Sequence, residues 1–73
     1  MELVDHPRDD LTPREIDVLR LITSGNANKE IADQLSIGEA SVKSYVANIL
    51  SKLDAKDRAH AVTTGLKRGI IEL

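Results

Sequence analysis

Short polar side chains lie on one face of a predicted helix in the segment 39–53. The apolar residues of this segment recur at the spacing of a helix that buries one side: Val42, Val46, Ile49, Leu50 and Leu53. The other face carries small or hydrogen-bonding side chains: Ala40, Lys43, Ser44, Ala47, Asn48 and Ser51. Small residues allow a close approach to another surface, and lysine, serine and asparagine can hydrogen-bond to phosphates and base edges. The pattern therefore predicts a docking face.

Basic residues follow this face along the chain. Lys52, Lys56 and Arg58 are predicted to share one side and contact phosphates, although cations at a helix end also complement the helix dipole. The net charge of −2 opposes nucleic-acid binding, but residues 1–24 hold six acidic and three basic groups, whereas residues 25–73 hold six and seven. The overall acidity keeps an alternative hypothesis open, in which the chain is a helical protein-interaction module.

The same sequence offers little for catalysis or metal binding. It has no cysteine and no phosphate-binding glycine loop, and its acidic and basic residues do not form an acid-base set. Ser41 and Ser44 lack a nearby histidine base, and His6 and His60 are too far apart to predict a metal site. We therefore expect no enzymatic activity, no cofactor and no metal.

Capping signals predict the two helices that precede the docking face. The sequence Thr12-Pro13-Arg14-Glu15 is a capping box with proline at the first helical position, and Gly25 suits a left-handed helix end. These signals predict a first helix over about Pro13–Ser24. Asn28 is expected to cap a short second helix over Lys29–Leu35.

Two further helices complete the predicted fold. The third spans Glu39–Leu53, and a fourth begins after a cap at Asp57, runs to about Arg68 and is closed by Gly69. No strand-like alternation interrupts this pattern, so we predict an all-α, four-helix bundle with a central helix-turn-helix over residues 11–73. Residues 1–10 are predicted to be a flexible arm or the remnant of a linker.

Four motifs in combination resemble one family, the LuxR-type helix-turn-helix domains of NarL/FixJ response regulators and of GerE-like regulators. They are L-T-P-R-E from Leu11, G-x-x-N-K-E-I-A from Gly25, V-K followed by V-x-N-I-L-x-K-L from Val42, and D-R-x-x-A-V from Asp57. The likeness covers residues 11 to about 70. It implies a bacterial transcription regulator that binds DNA sequence-specifically.

The resemblance also assigns roles to individual positions. It implies that the third helix enters the major groove, with Lys43, Ser44 and Ala47 at base edges and Ala40 and Asn48 at the margins. It implies phosphate contacts at the start of the second helix and beside the recognition helix: Asn28, Lys29, Ser41 and Lys52.

Some positions depart from the family pattern. Gly38 stands where a side-chain helix cap is usual, and Tyr45 stands where histidine is common. Ala47 cannot hydrogen-bond to a base and can read only a thymine methyl group. Specificity is therefore expected to depend on Lys43, Ser44, Asn48 and DNA shape.

The resemblance implies dimerisation through the last helix. Ala61 and Gly65 are the candidate homodimer interface, with the alternative that these small residues let the fourth helix pack on the first in the same chain. The chain is expected to be cytoplasmic, because no apolar run is long enough to cross a membrane. It is expected to be the C-terminal output domain of a two-component response regulator with an upstream receiver domain, or alternatively a complete GerE-like regulator.

Overall fold

The computed structural model describes residues 11–73, which form four helices and no strand. The helices are α1 (Pro13–Thr23), α2 (Asn28–Leu35), α3 (Glu39–Leu53) and α4 (Arg58–Lys67). The all-α prediction and the central helix-turn-helix, formed by α2 and α3, are confirmed. The arm predicted for residues 1–10 lies outside the described residues.

The predicted capping box at the start of α1 is present. The Thr12 hydroxyl accepts the amide hydrogen of Glu15 at 3.2 Å, and the Glu15 carboxylate accepts the amide hydrogen of Thr12 at 2.9 Å. Gly25 follows the helix with φ +92°, a left-handed conformation that glycine adopts without a side-chain clash. These contacts fix where α1 begins and ends.

The cap of α2 differs from the prediction. Ala27, not Asn28, occupies the cap position, and its amide donates to the carboxylate of Glu30 at 2.7 Å. Glu30 sets this register because its carboxylate can return to a backbone amide three residues earlier. Asn28 is the first residue of α2, so its side chain is available for another partner.

The turn between α2 and α3 contains a serine with left-handed backbone and a glycine at the cap position of α3. Ser36 ends α2 in the left-handed region at φ 57°, and Asp54 ends α3 in the same way at φ 55°. Gly38 precedes α3 with extended backbone and makes no side-chain cap. The first amides of α3 are therefore not capped by a side chain of the residue before it.

Helix α3 forms the centre of the bundle and packs against each of the other three helices. Its Val42 and Ile49 are completely buried, together with Val18 and Leu19 of α1 and Ile31 of α2. The half-buried residues of α3 that were predicted to face inward, Val46 and Leu50, pack against this core. One face of α3 is thus committed to the fold.

The small residues of α4 face the interior. Ala61 is 1% exposed, and a Cβ atom added to Gly65 would lie 3.0 Å from a methyl carbon of Leu19 and 3.1 Å from the side chain of Ile71. Their own chain covers both positions, so they do not form the predicted dimer surface. The alternative, packing of α4 on α1, describes their role, because absent side chains let the two helices approach closely.

Candidate nucleic-acid interface

The outward face of α3 is open to solvent along its whole length. With about 3.6 residues per turn, Ala40, Ser44, Ala47 and Ser51 form its central row, opposite the buried Val42 and Ile49. Lys43 lies along one edge of this row, and Ser41 and Asn48 lie along the other. All of the central and edge residues are exposed. The structure therefore brings every predicted base-reading residue onto one continuous surface.

The chemistry of this surface is sparse. Lys43 supplies one positive charge with three donors, Ser44 can donate and accept, and the Asn48 amide can do both. Within residues 11–73, no ion pair or hydrogen bond engages the side chain of Lys43. Ala40 and Ala47 contribute only methyl groups, which permit close approach.

Lys52 does not extend into solvent as a phosphate contact would. Its Nζ lies 2.8 Å from Oε1 of Glu15, whose side chain is 4% exposed, and Lys52 itself is 29% exposed. The sequence analysis predicted that Lys52 contacts a phosphate, but in the structure its ammonium group forms an ion pair with the buried carboxylate of Glu15 in α1. Its position holds the last turn of α3 against the first turn of α1.

The environment of Glu15 keeps this carboxylate ionised. Burial raises the pKa of Glu15, but hydrogen bonds from Lys52 and Thr12, together with the charge of Lys52, outweigh that effect. The resulting pKa lies below the ordinary value for glutamate. The ion pair therefore persists at neutral pH.

Arg58 is also engaged within the chain. Its Nη1 donates to Oδ1 of Asn28, and its Nη2 donates to the carbonyl oxygen of Asn26 at 3.0 Å. This guanidinium was predicted to contact phosphate, yet it binds the loop before α2 instead. Lys29 and Lys56 are exposed and stay predicted phosphate contacts.

Asn26 organises the loop between α1 and α2, and sequence reasoning missed it. Its amide nitrogen donates to the carbonyl oxygen of Leu21 at 2.8 Å, and its side-chain oxygen accepts from Gln34 at 2.9 Å. With the contact from Arg58, this residue joins α1, α2 and α4. An asparagine directly after the helix-ending Gly25 was the available signal, because asparagine often hydrogen-bonds to local backbone.

A groove of about 710 Å³ opens beside this network, between the start of α2 and α4. Its walls include Asn28, Lys29, Arg58 and Val62. Solvent, or a phosphate group, therefore has access to the first turn of α2. Within the described part of the chain, no cluster of potential metal ligands occurs.

A helix-turn-helix whose second helix presents an open, hydrogen-bonding face defines a DNA-binding domain. The chain belongs to the luxR family of bacterial regulatory proteins, whose family model matches residues 9–64. This is a family of DNA-binding transcription regulators, which is not a class of enzymes.

Comparison with individual proteins agrees with this assignment. The chain is 49% identical over 55 residues to the transcriptional regulatory protein LiaR of Bacillus subtilis, covering 75% of the chain and 26% of LiaR. It is 44% identical over 63 residues to the quorum sensing-dependent regulator VjbR of Brucella ovis, covering 86% of the chain and 24% of VjbR. The response regulator ChrA of a heme-sensing two-component system matches with a TM-score of 0.84 and 37% identity, over 93% of this chain and 34% of ChrA.

The chain thus spans about a quarter of the length of the curated relatives it matches. Across residues 11–73, every helix is too short or too polar to cross a membrane.

Proposed function

We propose that this chain is the DNA-binding output domain of a bacterial transcription regulator and that it inserts α3 into the major groove of double-stranded DNA. The observation that carries the proposal is the open face of α3, where Lys43, Ser44 and Asn48 offer hydrogen bonds between alanine methyl groups. Lys43 and Ser44 read base edges, and Asn48 contacts the groove margin. Ser41, Lys29, Lys56 and the Asn28 amide contact phosphates.

The intact regulator is proposed to be a two-component response regulator with a receiver domain before this one. The resemblance to the response regulator ChrA supports this architecture, whereas the resemblance to the quorum sensing-dependent regulator VjbR supports an alternative input domain. The protein would act in the cytoplasm, where bacterial DNA is located.

Two copies are proposed to bind neighbouring half-sites on DNA and to contact each other through the outward face of α4. Ala59 and Thr63 are exposed on this face, and Val62 and Leu66 are half-buried beside them. A second copy compensates for the few hydrogen-bonding groups that one α3 offers.

The experiment is selection of preferred duplexes from a random pool, followed by fluorescence anisotropy at several salt concentrations. We expect one enriched sequence with twofold-related half-sites and an affinity that falls steeply with salt. Equal weak binding to all duplexes would contradict a sequence-specific reader. Tight specific binding by a demonstrably monomeric chain would contradict the dimer, and binding to a protein with little salt dependence would favour the interaction-module alternative.

A further inference from the structure

We propose that Arg58 is a positioning residue that fixes the Asn28 amide so that it presents only hydrogen-bond donors to a DNA phosphate; this inference rests on the DNA-binding function proposed above. Two of the five N–H donors of Arg58 are used within the chain, one from Nη1 to Asn28 and one from Nη2 to the backbone of Asn26. On this proposal Arg58 acts on DNA through Asn28, and the test below separates that role from a direct contribution of its charge.

The orientation of the amide follows from the chemistry of its two ends. An asparagine side chain has one accepting oxygen and one nitrogen with two hydrogens. Arginine is always a donor, so its contact with Oδ1 of Asn28 fixes which end is the oxygen. The other end of the amide is therefore the nitrogen Nδ2, and no residue within 11–73 accepts a hydrogen bond from it. A phosphate is an acceptor and suits this end alone.

Arg58 is itself held by a loop that is hydrogen-bonded to two helices. The Asn26 carbonyl that it contacts belongs to a residue bound to Leu21 and Gln34 through its side chain. Asn28 therefore does not have to be ordered when DNA binds, which reduces the entropic cost of the contact.

The site is also accessible, and its walls hold two cations, Lys29 and Arg58, against one carboxylate, Glu39. Asn28 and Lys29 line the open groove beside α4, and Lys29 is exposed. The first backbone amides of α2 add the positive end of the helix dipole. These features would complement a phosphate next to the Asn28 nitrogen.

The first test is Asn28→Asp in the full 73-residue chain, with anisotropy titration against the selected duplex and an unrelated duplex. Aspartate retains the acceptor for Arg58 but replaces the donor nitrogen with a negatively charged oxygen. We expect the thermal midpoint to be unchanged or higher, while affinity for both duplexes falls at least tenfold. Arg20→Gln, which changes the net charge equally on exposed α1, is the matched control and should cost less than threefold. Equal losses for the two variants would overturn the proposal.

The second test is Arg58→Ala, measured as affinity against salt concentration. A positioning residue that touches no phosphate should lower affinity about tenfold on both duplexes without changing the slope of log affinity against log salt. A slope reduced by about 0.9 would show that Arg58 itself neutralises a phosphate, and this result would overturn the proposal. An unchanged affinity would also overturn it. If Arg58→Ala unfolds, the Asn28→Asp result decides; if the wild-type chain binds no duplex at low salt, the proposed function itself is wrong.

Discussion

Oε1 of Glu15 lies 2.8 Å from Nζ of Lys52 and also accepts the amide hydrogen of Thr12. A single carboxylate oxygen therefore caps α1 and anchors the last turn of α3. The sequence separation of 37 residues means that this contact forms only when α1 and α3 have docked. The pair links correct folding of α1 with the placement of the outward face of α3.

Replacing this carboxylate should produce a pH-dependent loss of stability. Glu15→Gln retains an acceptor for Thr12 but removes the charge, and we expect a loss of about 1–3 kcal/mol at pH 7. Because the pKa of folded Glu15 is lowered, wild type holds this stability above the unfolded pKa of about 4.3 and loses it as pH falls through the folded value. Urea unfolding at pH 7 and pH 3 should show the difference between variant and wild type shrink on acidification. A difference independent of pH would mean that the charge of Glu15 is not involved.

Glycine in place of Ser36, whose backbone is in the left-handed region between α2 and α3, should stabilise the protein. Ser36→Gly removes a side chain from backbone at φ 57°, and we expect a gain of about 0.5–1 kcal/mol in the free energy of unfolding. Gly25→Ala is the matched opposite, since it adds a Cβ at φ +92° with no atom within 4 Å. It should cost about 1 kcal/mol from backbone strain alone. The measurement is chemical denaturation of both variants, and effects of the same sign would contradict this account.

The buried glycine of α4 should not tolerate a larger side chain. Gly65→Leu forces atoms into the space held by Leu19 and Ile71, so we expect a loss of about 1–3 kcal/mol. The control is Thr63→Leu, which places the same side chain on the exposed part of α4 and should leave monomer stability within about 0.5 kcal/mol. A thermal melt at low protein concentration makes the comparison. A neutral Gly65→Leu would mean that Gly65 faces outward.

Two lysines should separate base reading from phosphate contact. Lys43→Ala is expected to cost about 1–3 kcal/mol on the selected duplex and to relax preference at one base pair. Lys56→Ala should weaken all duplexes alike and reduce the salt slope by about 0.9. Competition titrations with single-base variants of the site provide the measurement. Identical profiles for the two variants would contradict the division of roles.

Local signals determined which parts of the fold could be predicted. Contacts between residues a few positions apart define three features that the sequence predicted: the capping box of Thr12 and Glu15, the cap at Asp57 and the bounds of α3. The cap of α2 was assigned to Asn28 because asparagine is a common cap, but the competing signal from Glu30 determines the register. Periodicity also gave the open face of α3, since every predicted base-reading residue is exposed.

The roles of the basic residues depend on distant parts of the chain. The partners of Lys52 and Arg58 could not be identified from neighbouring residues, because Glu15 and Asn26 lie 37 and 32 positions away in the sequence. Their pairing becomes visible only once α1, α3 and α4 are packed. For the same reason, the spacing of Ala61 and Gly65 could not distinguish a surface strip from a buried helix contact.

The division of α3 into a buried face and an open face separates the residues that hold the fold from those that can be changed. Val42 and Ile49 maintain the bundle, whereas positions 40, 43, 44, 47 and 48 make no contribution to its core. Substitutions at these outward positions therefore leave the packed side of α3 and the Glu15–Lys52 anchor intact. Under the proposed function, the sequence preference of α3 can be re-engineered without rebuilding the bundle.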